Sequence, residues 1–142
     1  MLDASGRNLL EAAAHVACAP VEVLEAVNVT LPSGLVVPDI VVVDKAAATE
    51  DSVSVDADAV QLVVELVSPG NKTMDRKFKP MLYAEAAIPY FWRLEFDPAP
   101  RLIISELDNG RCIETTTALA GAATRLDTPF PFDIDPAGLP RQ

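Results

Sequence analysis

The chain has 142 residues, half of them hydrophobic, which is enough for one domain with a real core and excludes general disorder. Its formal charge of −10 speaks against a broad nucleic-acid-binding surface. No apolar run approaches the ~20 residues of a membrane-spanning helix, so no membrane partner is expected. Met1-Leu2-Asp3-Ala4-Ser5 lacks the basic flank and apolar stretch of a secretion signal. Two cysteines are too few for a disulfide framework, so a reduced, cytoplasmic protein is expected.

In chain order, residues 5–18 read as a helix. Leu9, Leu10, Ala13, Val16 and Ala17 form its apolar stripe, and Pro20 stops it. Residues 21–31 and 35–43 read as two strands of an antiparallel hairpin turning at Pro32-Ser33-Gly34. Lys45 to Ala59 is a polar, alanine-rich loop. Residues 60–67 are apolar on both faces and predict the most buried strand, broken by Ser68-Pro69-Gly70-Asn71.

A helix follows within 75–87, with Asp75 as a candidate N-cap. Pro80 requires that this helix either kinks or begins near that residue. Ile88-Pro89 ends it. Tyr90 to Phe96 is an aromatic strand, residues 101–107 return, and Asp108-Asn109-Gly110-Arg111 predicts a hairpin turn into a strand near 112–117. The tail, 129–142, carries four of the prolines and reads as extended and packed at an edge. The sum is an α+β fold, α/β/α-like, with a mixed, curved sheet and a helix on each side.

Charge is distributed unevenly. Residues 71–93 hold five basic and two acidic residues, against six basic and 19 acidic elsewhere. That basic island directly follows the buried strand.

Three polar residues break the apolar pattern. Asp39 opens the run Pro38-Asp39-Ile40-Val41-Val42-Val43, Glu65 sits late in the buried strand, and Lys79 lies on or just before the next helix. An ionised carboxylate buried without a partner costs several kcal/mol or more. Two acids placed this way call for a cation, most simply a divalent metal. The alternative for Glu65 is a salt bridge to Lys79 or Arg76 with no metal. Hard cations such as Mg²⁺ take one or two carboxylates plus water and substrate phosphate. Acid, acid and lysine around one metal are a minimal kit for phosphodiester hydrolysis. His15 cannot complete a zinc site, and Cys18 and Cys112 read as buried, inert thiols. Trp92 and its neighbours read as sheet core or a dimer face.

Four segments occur in an order that resembles one family. They are Pro38-Asp39; Val63-Val64-Glu65-Leu66-Val67-Ser68-Pro69-Gly70; Asp75-Arg76-Lys77-Phe78-Lys79-Pro80; and Tyr83-Ala84-Glu85-Ala86-Ala87-Ile88-Pro89-Tyr90-Phe91-Trp92-Arg93. The chain is similar, over about residues 5 to 135, to the Uma-two family of restriction-endonuclease-like proteins in the PD-(D/E)xK superfamily.

The resemblance implies that Asp39 and Glu65 are metal ligands, with the Leu66 backbone carbonyl completing the site for Mg²⁺ or Mn²⁺. The superfamily lysine normally lies two residues after the second acid, where this chain has Val67. The resemblance therefore implies a migrated lysine, and Lys79 fits that slot. Tyr83, four residues later, would share its helix face and support it. Arg76 and Lys77 in the basic island would contact the substrate backbone.

The implied activity is a metal-dependent endonuclease, with DNA as partner and a homodimer as assembly. The alternative is a catalytically inactive binding or assembly module that keeps the nuclease fold. The expected organisation is one domain over 1–142, shortened at its N-terminus relative to family members.

Overall fold

The computed structural model describes residues 5–47, 54–67, 77–96 and 98–138. Helix α1, Ser5–Val16, buries Leu10 and Ala14, one turn apart, and turns Leu9 and Val16 to solvent. The buried stripe is thus rotated from the one the apolar residues suggest. Cys18, at φ +55°, reverses the chain at the helix end, and the Ala19 N–H closes on the Ala14 carbonyl at 2.9 Å. The turn that stops the helix therefore precedes Pro20.

The predicted hairpin is present but is folded across two sheets. Its stem pairs β1, Val21–Glu25, with β4, Ile40–Asp44, antiparallel from Val21↔Asp44 to Glu25↔Ile40. Its tip pairs β2, Asn28–Leu31, with β3, Gly34–Val36. The break lies at Ala26, whose positive φ of 52° turns the strand out of the sheet. Residues 45–59, read as a loop, supply β5, Ser54–Asp56, which joins β2 in parallel.

Strand β6, Val60–Leu66, lies at the centre of the main sheet, with Leu62 and Val63 fully buried on opposite faces. It runs antiparallel to β4 and parallel to β7, Tyr90–Glu95. The crossover between them contains α2, Lys79–Glu85. Pro80 sits in its first turn, where a missing N–H costs nothing, so the helix begins beside the proline rather than bending around it. The candidate cap Asp75 and the Ser68–Asn71 turn lie outside the described residues. Strands β8, Arg101–Asp108, and β9, Arg111–Leu119, complete the order β1-β4-β6-β7-β8-β9. Asn109 and Gly110, both at positive φ, make the tight turn that their dipeptide predicts.

The sheet divides two apolar layers. On one face Leu10 and Ala14 of α1 meet Ile40, Val42, Leu62, Val64 and Trp92. On the other, Tyr83 of α2 and the small β3-β2-β5 sheet meet Val41, Val43, Val63 and Phe91. Each fully buried aliphatic side chain contributes about 1.5–3 kcal/mol. A lone buried carboxylate therefore undoes about two of them unless it finds partners.

The described part of the proline-rich tail, residues 129–138, packs on a face of the sheet rather than at its edge. Strands β10, Thr124–Leu126, and β11, Phe132–Ile134, form a hairpin over the α1 face, where Phe130 and Phe132 are buried. The Phe132 ring stacks on Trp92 at 5.9 Å, which makes Trp92 sheet core. The fold is α+β, a mixed sheet with a helix on each side.

Candidate active site

Asp39 precedes β4 by one residue, and Glu65 is the penultimate residue of β6. Their strands are hydrogen-bonded neighbours with Ile40 opposite Val64, so the two acids meet at the same end of the sheet. The Asp39 backbone N–H donates to Glu65 Oε1 at 3.2 Å, and the Leu66 N–H donates to Asp39 Oδ2 at 2.7 Å. Glu65 thus holds the backbone of Asp39, and Asp39 that of Leu66, the residue after Glu65, which fixes both carboxylates.

Helix α2 supplies the remaining contacts. Lys79 Nζ lies 2.6 Å from Glu65 Oε2, and the Tyr83 hydroxyl donates to the same oxygen at 2.9 Å. The two residues are one helical turn apart and reach one atom together. Tyr83 is buried against Phe91, with ring centroids 5.1 Å apart. Lys79 keeps a quarter of its side chain in solvent.

Asp39, Glu65, Lys79 and Tyr83 therefore come together, and Leu66 joins them through its N–H. Lys77 is exposed just ahead of α2. Arg76 lies outside the described residues.

Glu65 is 2% exposed, and its carboxyl is held above the ordinary glutamate value. Burial is the main cause; the hydrogen bond and charge of Lys79 oppose it, Asp39 adds to it and Tyr83 opposes it. Lys79 and Tyr83 thus offset part of the penalty that burial places on the charged form. Replacing Tyr83 with phenylalanine is expected to lower stability by about 1–3 kcal/mol in urea unfolding at neutral pH, because a buried carboxylate loses a donor while the ring packing stays.

The donor set fits a hard divalent cation. Two carboxylates on adjacent strands are donors of the kind that Mg²⁺ or Mn²⁺ takes, with waters and phosphate oxygens as its further ligands. Among the described residues no group of three or more His, Cys, Asp or Glu side chains could hold a metal.

Two readings from the sequence need correction. Cys18 is exposed, because it occupies the left-handed position at the end of α1. Cys112 is half-buried, and burial pushes its thiol up despite a hydrogen bond with Ser105, so it is a poor nucleophile.

The aromatic reading of 90–96 hid a charged row. Arg93 stands opposite Glu65 in register and Glu95 follows on the same face, 8% and 3% exposed. The period-two alternation of Trp92 and Leu94 with Arg93 and Glu95 carries that signal.

The mixed sheet thus carries an acidic pair at one strand end, met by a lysine from the crossover helix. The family model Uma2, described as "Putative restriction endonuclease", matches residues 7–136, and the chain belongs to that family. Among solved structures, the chain is similar to a crystal structure described as a putative nuclease belonging to DUF820 from Anabaena variabilis ATCC 29413. The TM-score is 0.58 at 14% identity, over 78% of this chain and 61% of that one, so the likeness is one of fold. No curated protein matches the chain. No described helix is long and apolar enough to cross a membrane.

Proposed function

We propose that the chain is a metal-dependent endonuclease of the PD-(D/E)xK type, acting on DNA. The observation that supports this most is the meeting of Asp39, Glu65 and Lys79, from three separate elements, around one buried carboxylate. Asp39 and Glu65, with the Leu66 carbonyl, would hold Mg²⁺ or Mn²⁺. When bound, such an ion would act as a Lewis acid that lowers the pKa of water and offsets charge on the phosphate.

The chain's own residues do the rest. Tyr83, donating to Oε2, keeps the Glu65 carboxylate oriented and ionisable. Lys79 holds a positive charge at the acid pair and, being partly exposed, can turn to a phosphate oxygen or an attacking water. Arg76 and Lys77, in the basic island, draw the anionic backbone to an otherwise acidic molecule. A homodimer is the assembly that cutting both strands calls for, and we assign the protein to the cytoplasm.

The expected result is nicking of supercoiled plasmid DNA in Mg²⁺ or Mn²⁺ and none in EDTA. Lys79→Ala should slow nicking by about 10²-fold, the usual effect of losing one charge-stabilising donor. Equal nicking by wild type and this variant would point to a contaminating enzyme.

A second reading is favoured by the Lys79–Glu65 contact, which already neutralises the buried acid, and by the net charge of −10. In it the chain is a catalytically inactive binding or assembly module. It then has no divalent-metal response.

A further inference from the structure

Beside the acid pair, the sheet face beyond α2 is lined with charge. Glu95 accepts from Arg93 Nε at 3.2 Å and from Arg101 Nη2 at 2.9 Å, and Arg93 Nη2 reaches Glu114 Oε1 at 3.2 Å. These side chains line an open cleft of about 390 Å³ together with Thr117. Three observations set the cluster apart from an ordinary surface network.

First, it adjoins the site. Arg93 is the in-register neighbour of Glu65 on the next strand, and strands lie about 4.8 Å apart. Second, a β-bulge aims Glu114 into the cleft. Ile104 pairs with Thr116 but Ser105 pairs with Glu114, so Thr115 is the extra residue. Without that extra residue the alternation would turn Glu114 to the opposite face. Third, the cluster is short of acceptors, since Arg101 Nε is buried with no hydrogen-bond partner. Glu95 is deeply buried and fixes both guanidinium forks, whereas the Glu114 side chain is 57% exposed and free to leave.

We propose that Arg93 and Arg101 form a phosphate subsite for the DNA backbone next to the acid pair, and that the Glu114 carboxylate occupies the place a backbone phosphate takes on binding. This rests on the nuclease reading and adds the residues that seat the strand. Planar guanidinium groups accept carboxylate and phosphate in the same two-point geometry, so one anion can replace the other. The exchange leaves Glu95 in place and swaps a singly charged carboxylate for an anion carried by the ligand.

The test is binding of a fluorescein-labelled DNA duplex in EDTA, followed by anisotropy across roughly 50 to 200 mM salt. Glu114→Gln is expected to bind about threefold or more tightly than wild type, because a competing anion at the subsite is gone. Arg101→Gln is expected to bind roughly tenfold more weakly, with the slope of log K against log salt reduced by about one. A purely structural network predicts no tightening in Glu114→Gln. Either no tightening there, or unchanged affinity and slope in Arg101→Gln, with circular dichroism showing folded protein, overturns the subsite alone. No duplex binding by wild type at the lowest salt overturns the DNA reading and the subsite with it.

Discussion

Glu65→Gln is expected to reduce Mg²⁺- or Mn²⁺-dependent DNA cleavage by about 10³-fold, some 4 kcal/mol of lost barrier lowering, while making the metal-free protein more stable at neutral pH. The two effects have one origin. Glu65 binds its proton more tightly in the folded chain than in the unfolded one, mainly because burial penalises its charged form. Its contribution to stability is therefore complete below the ordinary value of 4.5 and is lost as pH rises through the higher folded value. Glutamine keeps the shape and an acceptor for Tyr83 but has no proton to lose. In EDTA the variant should melt above wild type at pH 7 to 8, and the gap should close as pH falls toward 4.5. A variant that melts lower at pH 8 by the same margin as at pH 4.5 would contradict the assigned ionisation.

The second large effect is expected from metal itself. At a concentration about 100 times its dissociation constant, an ion that binds only the folded chain adds about 2.7 kcal/mol, or roughly 8 °C for a domain of this size. Mn²⁺ should therefore raise the wild-type midpoint by several degrees at pH 8. The shift should shrink at lower pH, because the ion competes with the proton on Glu65. Asp39→Ala and Glu65→Gln should both lose it. A midpoint that ignores Mn²⁺ at pH 8 would favour the inactive module, in which Lys79 alone balances the acid.

The centre of the molecule was legible in the sequence because its violations are sharp. Glu65 stands in a run that is otherwise apolar on both faces, and such a residue must have partners. Pro80 marked the start of α2 because a proline is harmless only there. The bend at Ala26 was hidden, since alanine gives no sign of a left-handed backbone. The parallel pairing of β5 with β2 was hidden as well, because a three-residue strand has too little alternation to be seen. Lys79 stood out as one of the polar residues breaking the apolar pattern, but its reach back to Glu65 could only be offered as one choice beside Arg76, since nothing local fixes it. Glu114 was out of reach for a different reason. Which face it occupies depends on one extra residue in β9, and a bulge shifts register without changing the residue pattern around it.

The parallel pairing of β6 with β7 bears on how the chain reaches its final state. Every other neighbour in the main sheet is antiparallel, and only this pair needs the long excursion through α2. Long-range closures of that kind come late in folding. Lys79 and Tyr83 travel on the excursion, so until it docks Glu65 lacks both of these side-chain partners. A chain with all its hairpins but no docked helix thus has a sheet without a working centre.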